Sequence, residues 1–366
     1  MNSHRVSTTS TAEGYERLTE VPTPALIVDL DAFDRNQTAI EAMIRGTGKR
    51  IRPHVKTHRT PGLALRQLGP AAAGVTCATV GEAQTMVEAG VPEVLLANEI
   101  VSVKKIERMV SLAQHARVIV AVDSAEPVLL FSDAATRIGV TVDMLVDVEV
   151  GLGRCGVRST TEMIELAHAV ADAPHLRFVG LMGYEGRLRK RTDDRDIRAV
   201  RAFAALSEAK AKLESVGFEV EIVSAAGTST LNDALKIPDI TEIQAGTYAL
   251  MDPDLEGLDL PFEYALSMTA TVISRSENRV VVDAGRKTIG CEYGLPAPLD
   301  EHAQAVSISD EHLIIEWTKT PPLLGEQVRL RPSQVRTTFN LHDRVWLVRD
   351  DRIIDCLPVK SRSQSQ

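Results

Sequence analysis

Two kinds of residue in this chain could do chemistry together: a lysine placed to react with a carbonyl and small polar turns placed to hold an anion. Lys56 lies in RPHVKTH, directly after a short apolar run and flanked by His54 and His58. Most lysines are solvated surface charges. One that is desolvated at the end of a buried strand has a lowered pKa and becomes a Schiff-base nucleophile. The turns SAAGTST and QAGTY present Gly227, Thr228 and Ser229, then Gly246 and Thr247. A glycine with hydroxyl neighbours opening a helix offers backbone N–H groups and hydroxyls to a phosphate. Either turn alone is weak, since small polar turns are commonly only turns. Arg154 emerges from the glycine-rich DVEVGLGRCG, and Tyr184 and Arg187 from MGYEGR.

These residues need a scaffold, and the hydrophobic pattern supplies one. Eight short apolar runs recur at 51–55, 74–78, 93–97, 117–122, 143–148, 177–182, 219–224 and 241–245, most followed by helical periodicity. In TVGEAQTMVEAG, Thr79 stands three residues before Glu82 as in a capping box, with Gly90 at the stop; Gly217 closes a later helix in the same way. Buried-type strands alternating with helices imply a parallel sheet. Eight is also the number that closes a (β/α)8 barrel of the TIM type. An open doubly wound sheet is the competitor, and the lack of a G-x-G-x-x-G after an early strand weighs against its dinucleotide-binding form. After about residue 260 the texture becomes short alternating runs such as SMTATVISR, HLIIEW and RVWLVRDD, which read as an antiparallel β-domain. The expected divisions are a polar tail over 1–22, the barrel over 23–260 and the β-domain over 261–366. The early strand TPALIVDL is a candidate to pair with that last sheet.

A barrel carries its active site at the C-terminal ends of its strands, and phosphate is often held after strands seven and eight. Lys56, Arg154, Tyr184 and both small polar turns all fall at such ends. A lysine and a phosphate cradle in one barrel suggest pyridoxal 5′-phosphate (PLP), with Arg154 at its phenolate oxygen and Tyr184 on or beside its ring. By residues alone, a barrel binding an unrelated phosphorylated metabolite stays open. The net charge of −9 disfavours nucleic acid and anionic membrane as main partners. No run approaches the length of a spanning helix, and the polar opening stretch signals no secretion. The four cysteines, Cys77, Cys155, Cys291 and Cys356, show no metal or redox spacing and read as reduced thiols of a cytoplasmic protein.

In combination, TPALIVDLDAFDRN, RPHVKTHRTP, VGLGRCGV, GLMGYEGRL, SAAGTST and EIQAGTYALMD closely resemble the D-threonine aldolase/D-serine dehydratase family of fold-type III PLP enzymes. The resemblance runs from about Pro22 to Pro358. It implies an alanine-racemase-like barrel and a β-domain. It also implies that Lys56 carries PLP, that Arg154 lies near the cofactor oxygen, and that Tyr184 is in the active site. Gly227, Thr228, Gly246, Thr247 and Tyr248 would surround the phosphate, in a homodimer whose β-domains help close the partner's site. The family usually reads P-x-H-x-C-T-T or P-x-H-x-D-T-T before N-L-H-D, where the His and the Cys or Asp bind a divalent metal. Here RPSQVRTTFNLHD puts Gln334 and Arg336 at those positions. A guanidinium cannot coordinate a cation, and an amide oxygen alone binds transition metals poorly. The expectation is therefore no catalytic metal there, with Arg336, Gln334 and Arg187 binding an anionic or polar substrate group instead. The competing reading is that Arg336 only pairs with a local acid.

The resemblance favours a lyase that cleaves 3-hydroxy-D-amino acids by a retro-aldol reaction, using Lys56 with His58, His342 or a water as base. Three alternatives remain at this level. They are β-elimination to a 2-oxo acid, racemisation with Lys56 and Tyr293 on opposite faces, and a PLP carrier without turnover.

Overall fold

The structure, a computed structural model, describes residues 14–186, 188 and 194–366. Arg187 lies outside the described residues. By internal packing the chain forms two compact units: one comprises Glu263–Arg362 with the segment ending at Arg35, the other Asn36–Phe262 with Ser363–Gln366.

The chain enters with β1 (Ala25–Asp29) and α1 (Leu30–Ile44). It then alternates β2 (Arg50–Ile51), α2 (Pro61–Arg66), β3 (Val75–Cys77), α3 (Val80–Glu88), β4 (Glu93–Leu96), α4 (Val103–Ser111), β5 (Arg117–Val122) and α5 (Ala125–Ile138). The series continues with β6 (Val142–Asp147), α6 (Thr160–Asp172), β7 (Leu176–Gly183), α7 (Arg195–Ser215), β8 (Ile222–Ala225), α8 (Leu231–Ala234) and β9 (Glu242–Ile243). Strands β2 to β9 form one parallel sheet in the order β2-β9-β8-β7-β6-β5-β4-β3. Single parallel bridges, Ile51 to Ala72 and His54 to Thr76, join the two ends, so the sheet curls round on itself. The eight-stranded (β/α) architecture expected from the apolar runs is the one observed.

Local signals explain the elements. β6 is buried along its whole length, as a strand covered on both faces must be. Thr79 caps α3 by accepting from the Glu82 N–H, while the Glu82 carboxylate accepts from the Ala78 N–H at 2.7 Å. The run expected as one strand over 51–55 is divided. β2 ends at Ile51, and Val55–Thr57 is a 3₁₀ turn that carries Lys56. Pro53 has no N–H to extend a ladder, which accounts for the break. The run at 219–224 also begins pairing later, at Ile222.

Ionic groups line the starts of the barrel strands, the ends opposite the expected chemistry. Arg52 is 1% exposed and reaches Glu93 at 2.5 Å and Glu242 at 2.7 Å. Arg117 and Arg177 both bind Asp143 at 2.7 Å, and Arg117 lies 3.5 Å from Glu93. Ser224 donates to the second oxygen of Glu242 at 2.6 Å.

The other unit is largely β-sheet. It contains β10 (Leu266–Arg275), β11 (Arg279–Val282), β12 (Ala297–Pro298), β13 (Ala303–Ile308), β14 (Leu313–Trp317), β15 (Gln327–Arg331), α9 (Val335–Asn340), β16 (Arg344–Arg349) and β17 (Arg352–Pro358). Its central path is β13-β14-β11-β10-β1-β16-β17. β1 pairs antiparallel with β10 (Ala25 opposite Thr269) and parallel with β16 (Ile27 opposite Trp346). One core gathers Met268, Val282, Leu313, Ile315 and Leu330; another gathers Leu18, Ile27, Trp346 and Cys356. All four cysteines are free. Among the described residues, no helix is long and apolar enough to cross a membrane.

Candidate active site

Three strand ends of the barrel unit converge on Tyr184. This tyrosine follows β7 directly. The Lys56 Nζ lies 5.6 Å from its ring centroid, and the Arg154 guanidinium carbon lies 5.8 Å from it. Gly227, after β8, adjoins the same ring: a Cβ built there would stand 3.6 Å from Tyr184 Cε2. An amine, a guanidinium and a glycine turn are thus gathered around one phenol ring.

The turn after β8 and the turn after β9 are tied together. Each opens on a glycine into a three-residue 3₁₀ helix, Thr228–Thr230 and Thr247–Ala249. The Tyr248 N–H donates to Thr228 Oγ1 at 3.0 Å. Gly246 passes so close to the lysine turn that a Cβ would meet His54 O at 2.4 Å and Thr57 Oγ1 at 2.6 Å. Glycine is therefore required for the two loops to touch. Thr228 and Thr247 are both buried. The Tyr248 ring is buried as well, and its hydroxyl accepts from the Gln67 amide at 3.1 Å, so only its backbone meets Thr228. These donors suit a phosphate, Arg154 suits a phenolate oxygen, and Lys56 suits an aldehyde. The residues present fit PLP.

His58 occupies a different environment from the one its position in RPHVKTH suggests. It is fully buried; its Nε2 donates to Gln67 Oε1 at 2.9 Å and its Nδ1 accepts from the Thr60 N–H at 3.1 Å. Burial pushes its pKa down to about 4, against the opposing pull of Gln67. Both ring nitrogens are engaged, so His58 serves the Gln67–Tyr248 network rather than offering a base. Because the folded pKa is depressed, the unfolded chain binds a proton at His58 first as pH falls. His58 should then cost about 3 kcal/mol of stability between pH 6.5 and 4, all of it present above that window. Urea melts across this range should flatten in His58→Asn relative to wild type.

In the β-unit, Gln334 stands just before the first turn of α9 and is buried, its Oε1 accepting from Thr337 Oγ1 at 2.6 Å rather than capping the helix. Thr337 Oγ1 also lies 2.9 Å from Glu292 Oε2. Arg336 follows on the first turn of α9 and is partly exposed. The His342 Nε2 donates to the Thr288 carbonyl at 2.6 Å, and burial lowers its pKa, leaving Nδ1 as the acceptor of a neutral ring. Asp343 is held by Arg362 at 2.6 Å. Tyr293 is half exposed.

A group that the sequence reading missed stands beside Arg154. Glu99, Asp123 and Cys155 bring one ligand atom each within 4.8 Å of one another, the arrangement among the described residues that could hold a cation. Asp147, at the end of β6, has its pKa pushed up to about 8 by burial and by Glu99, with Arg154 pulling the other way. Cys155 is pushed up to about 11 by burial and by Glu99, so its thiol keeps its proton. Glu185, next to Tyr184, was also passed over. It is 3% exposed and accepts from the Thr230 hydroxyl. Carboxylates at successive strand ends were the available signal for the first group, and the Tyr184–Glu185 adjacency for the second.

An alternating parallel barrel with a lysine, an arginine and two anion turns at its strand ends defines a fold-type III PLP protein. The chain belongs to the family described as alanine racemase, N-terminal domain, whose profile matches residues 28–253; a serine dehydratase domain profile matches 265–348. It is 35% identical to a D-threonine aldolase of an Arthrobacter species, over 97% of this chain and 96% of that one. It is 32% identical to a 3-hydroxy-D-aspartate aldolase of Paracoccus denitrificans, over 94% and 93% of the two chains. The crystal structure of D-threonine aldolase from Filomicrobium marinum superposes with a TM-score of 0.91 at 38% identity, covering 96% of this chain and 98% of that one.

Proposed function

We propose that this protein is a PLP-dependent lyase that cleaves 3-hydroxy-D-amino acids to glycine and an aldehyde. The observation that carries this reading is the gathering of Lys56 and Arg154 on Tyr184 in a chain similar over nearly its whole length to two aldolases of such substrates. PLP, when bound, supplies a sink for the electron pair left on Cα when the Cα–Cβ bond breaks. Lys56 would hold it and move the proton at Cα. Arg154 would donate to its phenolate oxygen, and Gly227, Thr228, Gly246 and Thr247 would face its phosphate, while the Tyr248 N–H, expected there too, is taken by Thr228 Oγ1 and holds that hydroxyl in place. Tyr184 would pack beside its ring. The β-hydroxyl proton would pass to His342 Nδ1 or to a water, since His58 is committed to Thr60 and Gln67.

Arg336 and Gln334 take the place of metal ligands in this reading and bind an anionic or polar group on Cβ. Arg336 has a permanent charge and no lone pair to give a cation. Arg187, outside the described residues, is assigned to the same group. The cytoplasm is the expected location and a homodimer the expected state, with an amino acid, not nucleic acid, as partner; the net charge of −9 supports that choice.

The test is a product assay on chelator-treated protein supplied with PLP and either D-threonine or 3-hydroxy-D-aspartate. Glycine and aldehyde should form equally with and without Mn²⁺ or Zn²⁺. Arg336→Ala should lower kcat/KM for the acidic substrate by roughly 10- to 100-fold, the value of a charge-assisted hydrogen bond, and for D-threonine far less. Turnover that requires added metal would refute the reading of Gln334 and Arg336. A 2-oxo acid and ammonia would establish elimination instead, and racemised substrate would point to Tyr293.

A further inference from the structure

The turn from Ala226 to Thr230 has bonds of its own, the Thr230 N–H donating to the Gly227 carbonyl at 3.2 Å, but it also carries strain. Ala226 adopts φ +65°, a left-handed conformation that costs a residue with a side chain of order 1 kcal/mol or more. Two buried side chains from outside the turn help to hold it.

The first is Glu185. Its carboxylate accepts from Thr230 Oγ1, and Thr230 Oγ1 in turn accepts from the Gly227 N–H at 3.2 Å. Thr230 is fully buried, so its single hydroxyl proton has few destinations. The Gly227 carbonyl stands 3.4 Å away as the alternative acceptor. While Glu185 takes the proton, the lone pairs of Oγ1 face the Gly227 N–H; with Glu185 removed, the hydroxyl is free to turn toward the Gly227 carbonyl. The position after Glu185 admits no side chain. Gly186 sits at φ +73°, where a Cβ would strike Leu152 Cδ1 at 2.2 Å. The second is Arg195, also buried, which donates to the Ser229 carbonyl and to Asp233 Oδ2 at 2.9 Å.

We infer that Glu185 is a positioning residue for the cofactor's phosphate: through Thr230 and through the Ala226 and Gly227 N–H groups that its carboxylate also meets, it sets the Ala226–Thr230 turn in its anion-binding shape, with Arg195 pinning the far arm at Ser229. The inference rests on the reading of that turn as the PLP phosphate site. Neighbouring residues thus divide the labour. Tyr184 lies against the Gly227 backbone, and Glu185 sets the turn behind it through Thr230.

The phosphate separates this role from a general structural one. Apoprotein is titrated with PLP and, separately, with pyridoxal, which lacks the phosphate, following the absorbance of the bound cofactor. Glu185→Ala should weaken PLP by roughly 10- to 100-fold and leave pyridoxal within about threefold. Glu185→Gln keeps an oxygen for the Thr230 hydroxyl and should recover most of the PLP affinity. Thr230→Val should lose part of what Glu185→Ala loses, and the double variant should lose less than the sum of the two, because they share the Thr230–Glu185 contact while Glu185 also meets the Ala226 and Gly227 N–H groups directly. If Glu185→Ala does not fold, the PLP-to-pyridoxal ratio of Thr230→Val decides the matter. Equal losses for the two ligands, unchanged PLP affinity, or additive losses in the double variant would each overturn the inference. Failure of the wild type to take up PLP would instead overturn the cofactor reading on which it rests.

Discussion

Lys56→Ala should reduce turnover by at least ~10⁴-fold, the largest effect of any single substitution here. Two roles would vanish at once, covalent retention of PLP and proton movement at Cα. The lysine sits on the rigid 3₁₀ turn Val55–Thr57, and Gly246 packs directly on that turn through His54 and Thr57. A replacement side chain at 56 cannot borrow reach from a mobile loop. Glu82, buried and salt-bridged to Arg59 at 3.0 Å, also feels the charge of Lys56. Borohydride reduction of the wild-type holoprotein followed by peptide mapping should find the cofactor attached at Lys56. The variant should show no attachment while melting within a few degrees of wild type. Attachment at another lysine, or turnover retained within tenfold, would remove Lys56 from its role.

The second large effect concerns stability rather than chemistry. Arg52→Met should destabilise the protein by about 3–5 kcal/mol, because it strands Glu242 and weakens the compensation of Glu93 inside the barrel. Breaking one side of a buried ion pair leaves a desolvated charge, whereas removing both sides need not. The double variant Arg52→Met/Glu242→Met should therefore recover a large part of the loss, since Arg117 still lies near Glu93. Urea midpoints of the two variants settle this. A double variant less stable than Arg52→Met would show that Glu242 is held chiefly by other partners such as Ser224.

How much of this was legible in the sequence depended on the range over which each feature is determined. The barrel strands were readable because Val, Ile and Leu runs such as RVIVAV respond to burial on both faces wherever they occur. The Thr79–Glu82 cap and the turns at Gly90 and Gly217 were readable because they are set within a few residues; both glycines have positive φ. Helix α9 was not. Its six residues are too few for periodicity, and VRTTFN has two β-branched threonines that favour strand. His58 was misjudged because the residues that bury and engage it include Gln67, nine positions on, and, through Gln67, Tyr248. The carboxyls of Asp147 and Glu185 escaped attention for the same reason. Their character comes from Glu99 and Thr230, which the chain brings to them only on folding.

The placement of β1 bears on how the protein is made. Its partners β10 and β16 begin at Leu266 and Arg344, so Ala25–Asp29 leaves the ribosome long before anything exists to pair with it. An apolar strand with two unsatisfied edges must wait while the whole barrel is synthesised, which exposes it to self-association and to chaperones. The β-unit can only be completed last, and its closing step has a high contact order. Vectorial synthesis thus makes the barrel the early-folding body and the β-sheet its late acceptor. A circular permutant opened near residue 260, just before β10, would place β1 after both of its partners in the chain and relieve that delay without altering a single pairing.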